Sequence, residues 1–366
     1  MSYDPKISMN EQDIRNYRLA NQQIVDTRFR KPEELVAFLG AMQAQSYQDA
    51  LWAIGLRLKA ATKADVEEAI YQRTIVRTWP MRHTLHFVSP KDVRWMLSFY
   101  RNEPIPKYQR SNGLDRSILE KGEKIIASAF KEKAQLTSRE IYQKLAGSNI
   151  PALKKHEIQA HILRRAGRDG IVCFGSHIGK QPTFALLDNW VSKSKPIKKE
   201  EALAELAKRY FRSHGPATLK DFVWWSGLSL SDARLGIHGA LPELSEETFK
   251  KSSYFMSKKP QKQLESSPAA YLLPAFDEYI ISYRDRNVML LHNSHAQKVV
   301  PGGNGMFLPI LIIDGRVYGT WKREIRKKNI LIRLNAFTKL SKDQNKEVSA
   351  AAEDYGRFMG MAVELK

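Results

Sequence analysis

The amino-acid sequence predicts a mainly α-helical fold with β-hairpins, an α+β arrangement in which groups of helices alternate with paired strands and a β-rich segment closes the chain. Three observations lead to it. Apolar residues recur at helical spacing through several stretches. Short β-rich runs bounded by turn residues follow those stretches. The order of helices and then a hairpin occurs three times before about residue 285.

From Glu11 to Ile24 and from Pro32 to Met42 the apolar spacing is helical, and Pro32 suits a first turn, where its missing N–H removes no hydrogen bond. In GAMQAQSYQDALW, residues 40–52, that regularity stops. Two uncharged amides, Gln43 and Gln45, flank Ala44 where a helix should give way to a turn, and Asp49 suits the N-cap of a helix through ALWAIGL. Thr62 suits the next N-cap, with a helix to about Gln72 and then two β-rich runs flanking PMRH.

The order repeats after NEPIPKYQRSNGLD, with a helix through EKIIASAF and a second through LTSREIYQKL, opened by a Thr137–Glu140 capping box. KHEIQAHILRRAGRDG supplies the third helix, and IVCFGS and PTFALL the strands around HIGKQ. The polar stretch SKSKPIKKE leads to helices in EALAELAKRYFRSHG, ATLKDFVWWSG and SLSDARLGIHGAL, then to strands around YFM and AAYLLPAF. The tail, MFLPILIIDGRVYGTWKREIRKKNILIRL, reads as strands with Asp314-Gly315 as a two-residue hairpin signal, a polar connection and a final helix in SAAAEDYGRFMGMA.

Three helices followed by a hairpin is the order of a winged helix-turn-helix unit, whose third helix can enter a DNA major groove with the hairpin beside it. The chain therefore divides into three tandem units, 1–112, 113–196 and 197–285, and a C-terminal β-rich segment with a final helix, 286–366. One such unit also serves protein–protein contact. Three of them in a chain with 59 Lys+Arg against 39 Asp+Glu, a formal net charge of +20, favour a polyanionic partner, namely double-stranded DNA.

Composition excludes other classes. The single cysteine, Cys173 in GIVCFG, rules out an intrachain disulfide and a Cys-rich zinc site and suits core packing. The nine histidines show no His-x-x-x-His spacing and the chain has no Walker-type phosphate loop, so no metal and no cofactor is expected. No apolar run approaches the roughly 18 residues of a membrane span, and MSYDPKISMNEQD lacks the apolar core of a secretory signal. The expectation is a cytoplasmic, nucleoid-associated monomer.

The stretches MQAQSYQDALWAIGLRL, VRTWPMRHTLHFV, LLPAFDEYIISYRDR and NGMFLPILIIDGRVYGTW lie in the same order and at similar separations as in the AlkZ-like tandem winged-helix DNA glycosylases. The chain resembles this bacterial family, which excises alkylated bases and has members that unhook interstrand crosslinks, over nearly its full length. The family's catalytic signature is glutamine, an apolar residue, then glutamine or aspartate, which maps onto Gln43, Ala44 and Gln45. The chain departs in the first hairpin, where the family usually has glycine after MR and this sequence has His83, a side chain expected to alter the hairpin's path. His86 matches the family pattern and is expected to be a satisfied strand histidine.

The resemblance implies a monofunctional DNA repair glycosylase acting on cationic N7-alkylated purines. Such a base leaves neutral, so the enzyme need only position water and favour positive charge on the sugar, tasks open to a fixed carboxamide. Gln45 is expected to hold the attacking water and face the sugar, and Gln43 to orient Gln45 or the phosphate. Asp49 is the nearby group that could act as acid or base instead.

Phosphate contacts are expected from Arg77, Arg82, Arg164 and Arg165, and from Lys322, Arg323, Arg326 and Lys327 in TWKREIRKKN, although a charge run equally suits an exposed turn. Asp277, Glu278 and Asp285 in FDEYIISYRDR are expected to form domain-joining ion pairs, not a catalytic dyad. The alternative function is a tandem winged-helix transcription regulator without catalysis, binding a preferred operator on the order of 10³-fold or more above background. An interaction scaffold would show no salt-dependent DNA binding.

Overall fold

The computed structural model describes residues 9–101, 103–179, 181–259, 269–303 and 305–366. Residues 1–8, part of the stretch read for a signal, and Lys180 in the HIGKQ turn lie outside them. By contact the chain forms two compact units, residues 1–67 with 198–366, and residues 68–197.

The first unit opens with α1 (Glu11–Asn21), capped by a reciprocal Asn10–Asp13 box, and α2 (Pro32–Leu39), with its proline in the first turn as read. Helix α2 stops three residues before the expected Met42. Gly40 takes φ 84, which ends the helix, and Ala41–Gln43 becomes a short strand, β1. Helix α3 (Tyr47–Gly55) follows, and α4 (Lys63–Tyr71) begins at a Thr62–Asp65 box in which each residue's side chain meets the other's backbone N–H.

The second unit takes over within α4, at Glu68, and continues with the hairpin β2 (Val76–Met81) and β3 (Thr84–Val88). Arg82 and His83 form its two-residue turn with φ of 51 and 58, the left-handed pair that a tight hairpin of this twist requires. A side chain at the second position costs about 1 kcal/mol relative to glycine. The register slips between Thr78↔His86 and Met81↔Thr84, so Trp79 and Pro80 face one residue, and Pro80 sits where the ladder is already interrupted. Then come α5 (Val93–Ser98), α6 (Lys107–Ser111), α7 (Arg116–Ala129), β4 (Leu136–Thr137), α8 (Ser138–Ala146), α9 (His156–Arg168), β5 (Val172–Phe174), β6 (Thr183–Leu186) and α10 (Leu187–Trp190), with sheet order β4–β6–β5. Thr137 and Glu140 form the expected capping box, and Cys173 is buried in the core. The Trp79 ring packs against Gly167 and beside Phe174 and Phe184.

The chain returns to the first unit with α11 (Lys199–His214), α12 (Leu219–Ser226), α13 (Leu230–Ala240) and the hairpin β7 (Leu244–Phe249) and β8 (Ser252–Ser257), while Ala217 bridges Phe255 of β8. The strands expected around YFM and AAYLLPAF do not pair with each other. YFM lies in β8, but its partner is LSEETF. AAYLL instead forms β9 (Ala270–Leu273), an edge of the C-terminal sheet. Strand β7 has one buried residue, Leu244, and otherwise polar or half-exposed ones, so it lacks the apolar signal of a core strand.

After α14 (Glu278–Ile281) and α15 (Ala296–Val299), the sheet is completed by β10 (Ile310–Ile313), β11 (Arg316–Ile325) and β12 (Asn329–Ala336), followed by α16 (Lys342–Met359) and β13 (Ala362–Leu365). Its order is β13–β12–β11–β10–β9, parallel only between β12 and β13. Asp314-Gly315 makes the expected tight turn, with φ of 50 and 72. Helix α16 starts earlier than read, at a Ser341–Gln344 capping box, and stops at left-handed Gly360, so Ala362 belongs to β13.

One order recurs along the chain: helix, short strand, helix, helix, strand, strand. It runs as α2–β1–α3–α4–β2–β3, as α7–β4–α8–α9–β5–β6, and, with the Ala217 bridge in place of the short strand, as α11–α12–α13–β7–β8. The first copy thus begins at α2, and the glutamine motif starts at the last residue of its short strand, Gln43. Ser46, Thr137 and Thr218 stand at the same place in the three copies, each immediately before the second helix.

Candidate active site

The motif is built on a backbone held at several points. Gly40 turns the chain out of α2, and Ala41, Met42 and Ala44 are buried, so the strand is a core element. Gln43 is only 6% exposed, whereas Gln45, just past the strand, is exposed at the surface. One amide faces the interior and the other faces solvent.

The Gln43 backbone N–H donates to Glu278 Oε1 at 2.7 Å. The other oxygen of Glu278 accepts from Trp225 Nε1 at 3.1 Å and from Ser282 Oγ, and His214 Nε2 lies 3.5 Å from it. Next along α14, Asp277 caps the helix through the Tyr279 N–H and takes a two-pronged ion pair from Arg57, at 2.7 and 2.8 Å, with both side chains fully buried. Arg57 also donates to the carbonyls of Gln22 and Ala53. Trp52 Nε1 donates to the Leu272 carbonyl at 2.7 Å. Residues 43–57 are therefore tied to chain more than 200 positions away. Of the three carboxylates expected to form ion pairs, Asp277 pairs with Arg57 inside the same compact unit, while Asp285 is exposed and accepts the Asn287 N–H.

Asp49 is not the N-cap. Ser46 holds that position, and Asp49, three residues on, receives the Ser46 hydroxyl on Oδ2 and Arg323 Nη1 on Oδ1 at 2.6 Å. Burial works to lower the Arg323 pKa, but Asp49 beside it holds the guanidinium above its ordinary value. Both oxygens of Asp49 are thus engaged in fixing the start of α3.

A cleft of about 1000 Å³ on the first unit is lined by Trp224, Arg284, Arg286 and Phe307 among others, and its walls include neither Gln43 nor Gln45. Among the described residues no group of three or more His, Cys, Asp and Glu side chains could hold a metal ion, and no helix is long and apolar enough to cross a membrane.

With this geometry in view, a family model described as "DNA glycosylase AlkZ-like" matches residues 36–358. The chain belongs to the AlkZ-like DNA glycosylase family. It is accordingly a DNA glycosylase, a hydrolase of N-glycosyl bonds whose partner is DNA. It is similar to an "Interstrand DNA cross-link repair glycosylase" of Streptomyces sahachiroi, 23% identical over 308 residues that cover 79% of this chain and 81% of that protein. It is also similar in fold to the solved structure of "Streptomyces sahachiroi DNA glycosylase AlkZ", with a TM-score of 0.79, 22% identity, and coverage of 98% of this chain and 100% of that one.

The residues expected to meet DNA divide by burial. In the second unit of this AlkZ-like chain, Arg77 is buried on β2 with its guanidinium 4.5 Å from the Phe174 ring, and Arg82 sits in the hairpin turn 3.4 Å from His86 Nε2. His86 itself is buried and its Nδ1 lies 3.0 Å from the Thr84 carbonyl, the satisfied strand histidine that was expected. On α9, Arg164 is exposed, whereas Arg165 is 4% exposed and spent on Asp169 and the Glu103 carbonyl, both at 2.6 Å. Amphipathic phase separates these neighbours, since 100° of helix rotation carries one inward. In the first unit, Arg323 is turned to Asp49, Lys322 and Lys327 are exposed, and Arg326 pairs with Glu324 and Glu364 in the β11–β12 hairpin. The link from Arg323 to the motif and that from Glu278 to Gln43 join residues too far apart for any spacing rule to find.

Proposed function

We propose that this glycosylase hydrolyses the N-glycosidic bond of cationic N7-alkylated purines in double-stranded DNA, acting as a monomer of the bacterial cytoplasm associated with the nucleoid, and that crosslinked purines fall within its reach. The observation that carries the proposal is the pair of carboxamides at the motif, Gln43 fixed in the core and Gln45 exposed beside it. As the C1′–N9 bond lengthens, its electron pair passes to the purine, which departs neutral. Gln45 Oε1 accepts a hydrogen bond from water and directs its oxygen at C1′, and its dipole favours the positive sugar. The water's second proton goes to solvent. Gln43 sets the direction of Gln45.

An exposed Gln45 supports access to bulky, bridged lesions, which could not enter a closed pocket, and the relative named for crosslink repair fits that reading. The recurring helix, short strand, helix, helix, strand, strand order supports three tandem winged helix-turn-helix units within 1–112, 113–196 and 197–285. Exposed Arg164, Lys322 and Lys327, with Arg82 and Arg326 at hairpin turns, would contact phosphates. Arg77, Arg165 and Arg323 would act by holding the elements that carry those contacts.

Selectivity tests the mechanism. A neutral amide cannot protonate a leaving group, so release of 7-methylguanine should exceed release of neutral hypoxanthine from otherwise identical duplexes by at least about 10² in single turnover. Equal rates would show that an acid operates and would exclude the carboxamide mechanism.

A further inference from the structure

We propose that Glu278 is a positioning residue for the glutamine motif, a buried carboxylate that fixes Gln43 and through it the aim of Gln45. The inference rests on the catalytic reading above and goes beyond it to a residue 235 positions from the motif.

The geometry demands a carboxylate. Three donors converge on two oxygens: the Gln43 N–H on Oε1, and the Trp225 indole N–H and the Ser282 hydroxyl on Oε2. A carboxylate accepts at both oxygens, whereas a glutamine amide would turn one of them into a donor facing a donor, whichever way it flipped. The side chain is 1% exposed, so none of these hydrogen bonds could be replaced by water at small cost. Aromatic rings pack around it: Trp225 and His214 both lie on Tyr210, at centroid separations of 4.9 and 5.0 Å.

The bond is placed where it matters. Gln43 is the last residue of β1, and beyond it the backbone runs through Ala44 to exposed Gln45 before Ser46 starts α3. The far side of that segment is held by Arg323 on Asp49 and by Asp277 on Arg57. Without Glu278 the near side would pivot about those anchors, and an error of about 1 Å at a reacting group costs on the order of 10² in rate.

The test uses the full chain and a 7-methylguanine duplex, with single-turnover base release, duplex affinity and hydrogen exchange at the Gln43 amide measured for wild type, Gln45→Ala, Glu278→Ala, Glu278→Gln, Trp225→Phe and Ser282→Ala. Trp225→Phe and Ser282→Ala each remove one donor to Glu278 and leave the carboxylate itself in place. They are the decisive variants if Glu278→Ala fails to fold. Phe211→Leu in the same core serves as a control for general softening. The expected result is a rate loss of about 10-fold or more in the loosened variants, of order 10² in Glu278→Ala and Glu278→Gln, faster exchange at Gln43, and duplex affinity within twofold of wild type. Full rates in the loosened variants with Gln45→Ala inactive, or losses matched by Phe211→Leu, would overturn the positioning role alone. A full rate in Gln45→Ala would instead remove the catalytic reading, and Glu278 would be left as a structural clamp.

Discussion

Replacing Asp277 with alanine isolates the buried ion pair that holds the far end of the motif's helix. The Arg57 guanidinium would keep its bonds to the Gln22 and Ala53 carbonyls but lose both carboxylate oxygens, in a place where neither side chain meets solvent. Removing one partner of such a pair costs about 3–5 kcal/mol, because the remaining charge stays desolvated. Loss of the cap on Tyr279 adds about 1 kcal/mol. For a unit of roughly 240 residues the melting entropy is about 0.5 kcal/mol/K, so the midpoint should fall by about 10 °C. Calorimetry of Asp277→Ala, Arg57→Met and the double variant gives the test. The double variant should be less destabilised than either single one, since no unpaired charge remains inside. A fall of less than about 2 °C for Asp277→Ala, or a double-variant cost equal to the sum of the singles, would refute the reasoning.

Charge reversal of Arg326 and Lys327 together should weaken duplex binding and flatten the slope of log affinity against log salt by about 1 to 2, read by fluorescence anisotropy, whereas an unchanged slope would remove the hairpin from the interface. Glu123 in the second unit is raised from its ordinary 4.5 to about 7, by burial first and then by the charge and hydrogen bond of Asp169. The folded chain therefore holds a proton that the unfolded chain has released, so stability is full below about pH 4.5 and falls as pH rises to about 7. Glu123→Gln should flatten urea midpoints across that window, and an unaltered pH dependence would contradict the assignment. Gly167→Ala would place a Cβ 2.3 Å from the Trp79 ring, which Phe174 and Phe184 adjoin, and should destabilise the chain by about 1–3 kcal/mol in thermal unfolding. A midpoint matching wild type would mean that the ring yields freely.

Local chemistry made much of the fold legible. The Thr137–Glu140 box, Pro32 in a first turn, and the Asp314-Gly315 hairpin are each written within four residues, and each stands where it was read. What failed was pairing between distant segments. AAYLL has the apolar run of a strand, but nothing in it says that its partner is β10 and not β8. The motif shows the same divide. Gln43 and Gln45 stand out in the sequence only through the family resemblance, and Asp49 only as a charged neighbour. Its ion-pair partner, Arg323, lies 274 positions away, and the buried contact between Glu278 and the Gln43 backbone leaves no trace in side-chain spacing, because a backbone N–H has no sequence signature.

Direct mass detection of free 7-methylguanine from a methylated duplex, with wild type, Gln43→Ala and Gln45→Ala compared in single turnover at matched duplex occupancy, reads the catalytic step itself. Wild type should liberate the base, and each variant should do so at least about 10²-fold more slowly while still binding the duplex. Intact methylated DNA after incubation with the folded wild type, or undiminished release by both variants, would contradict catalysis by these two carboxamides.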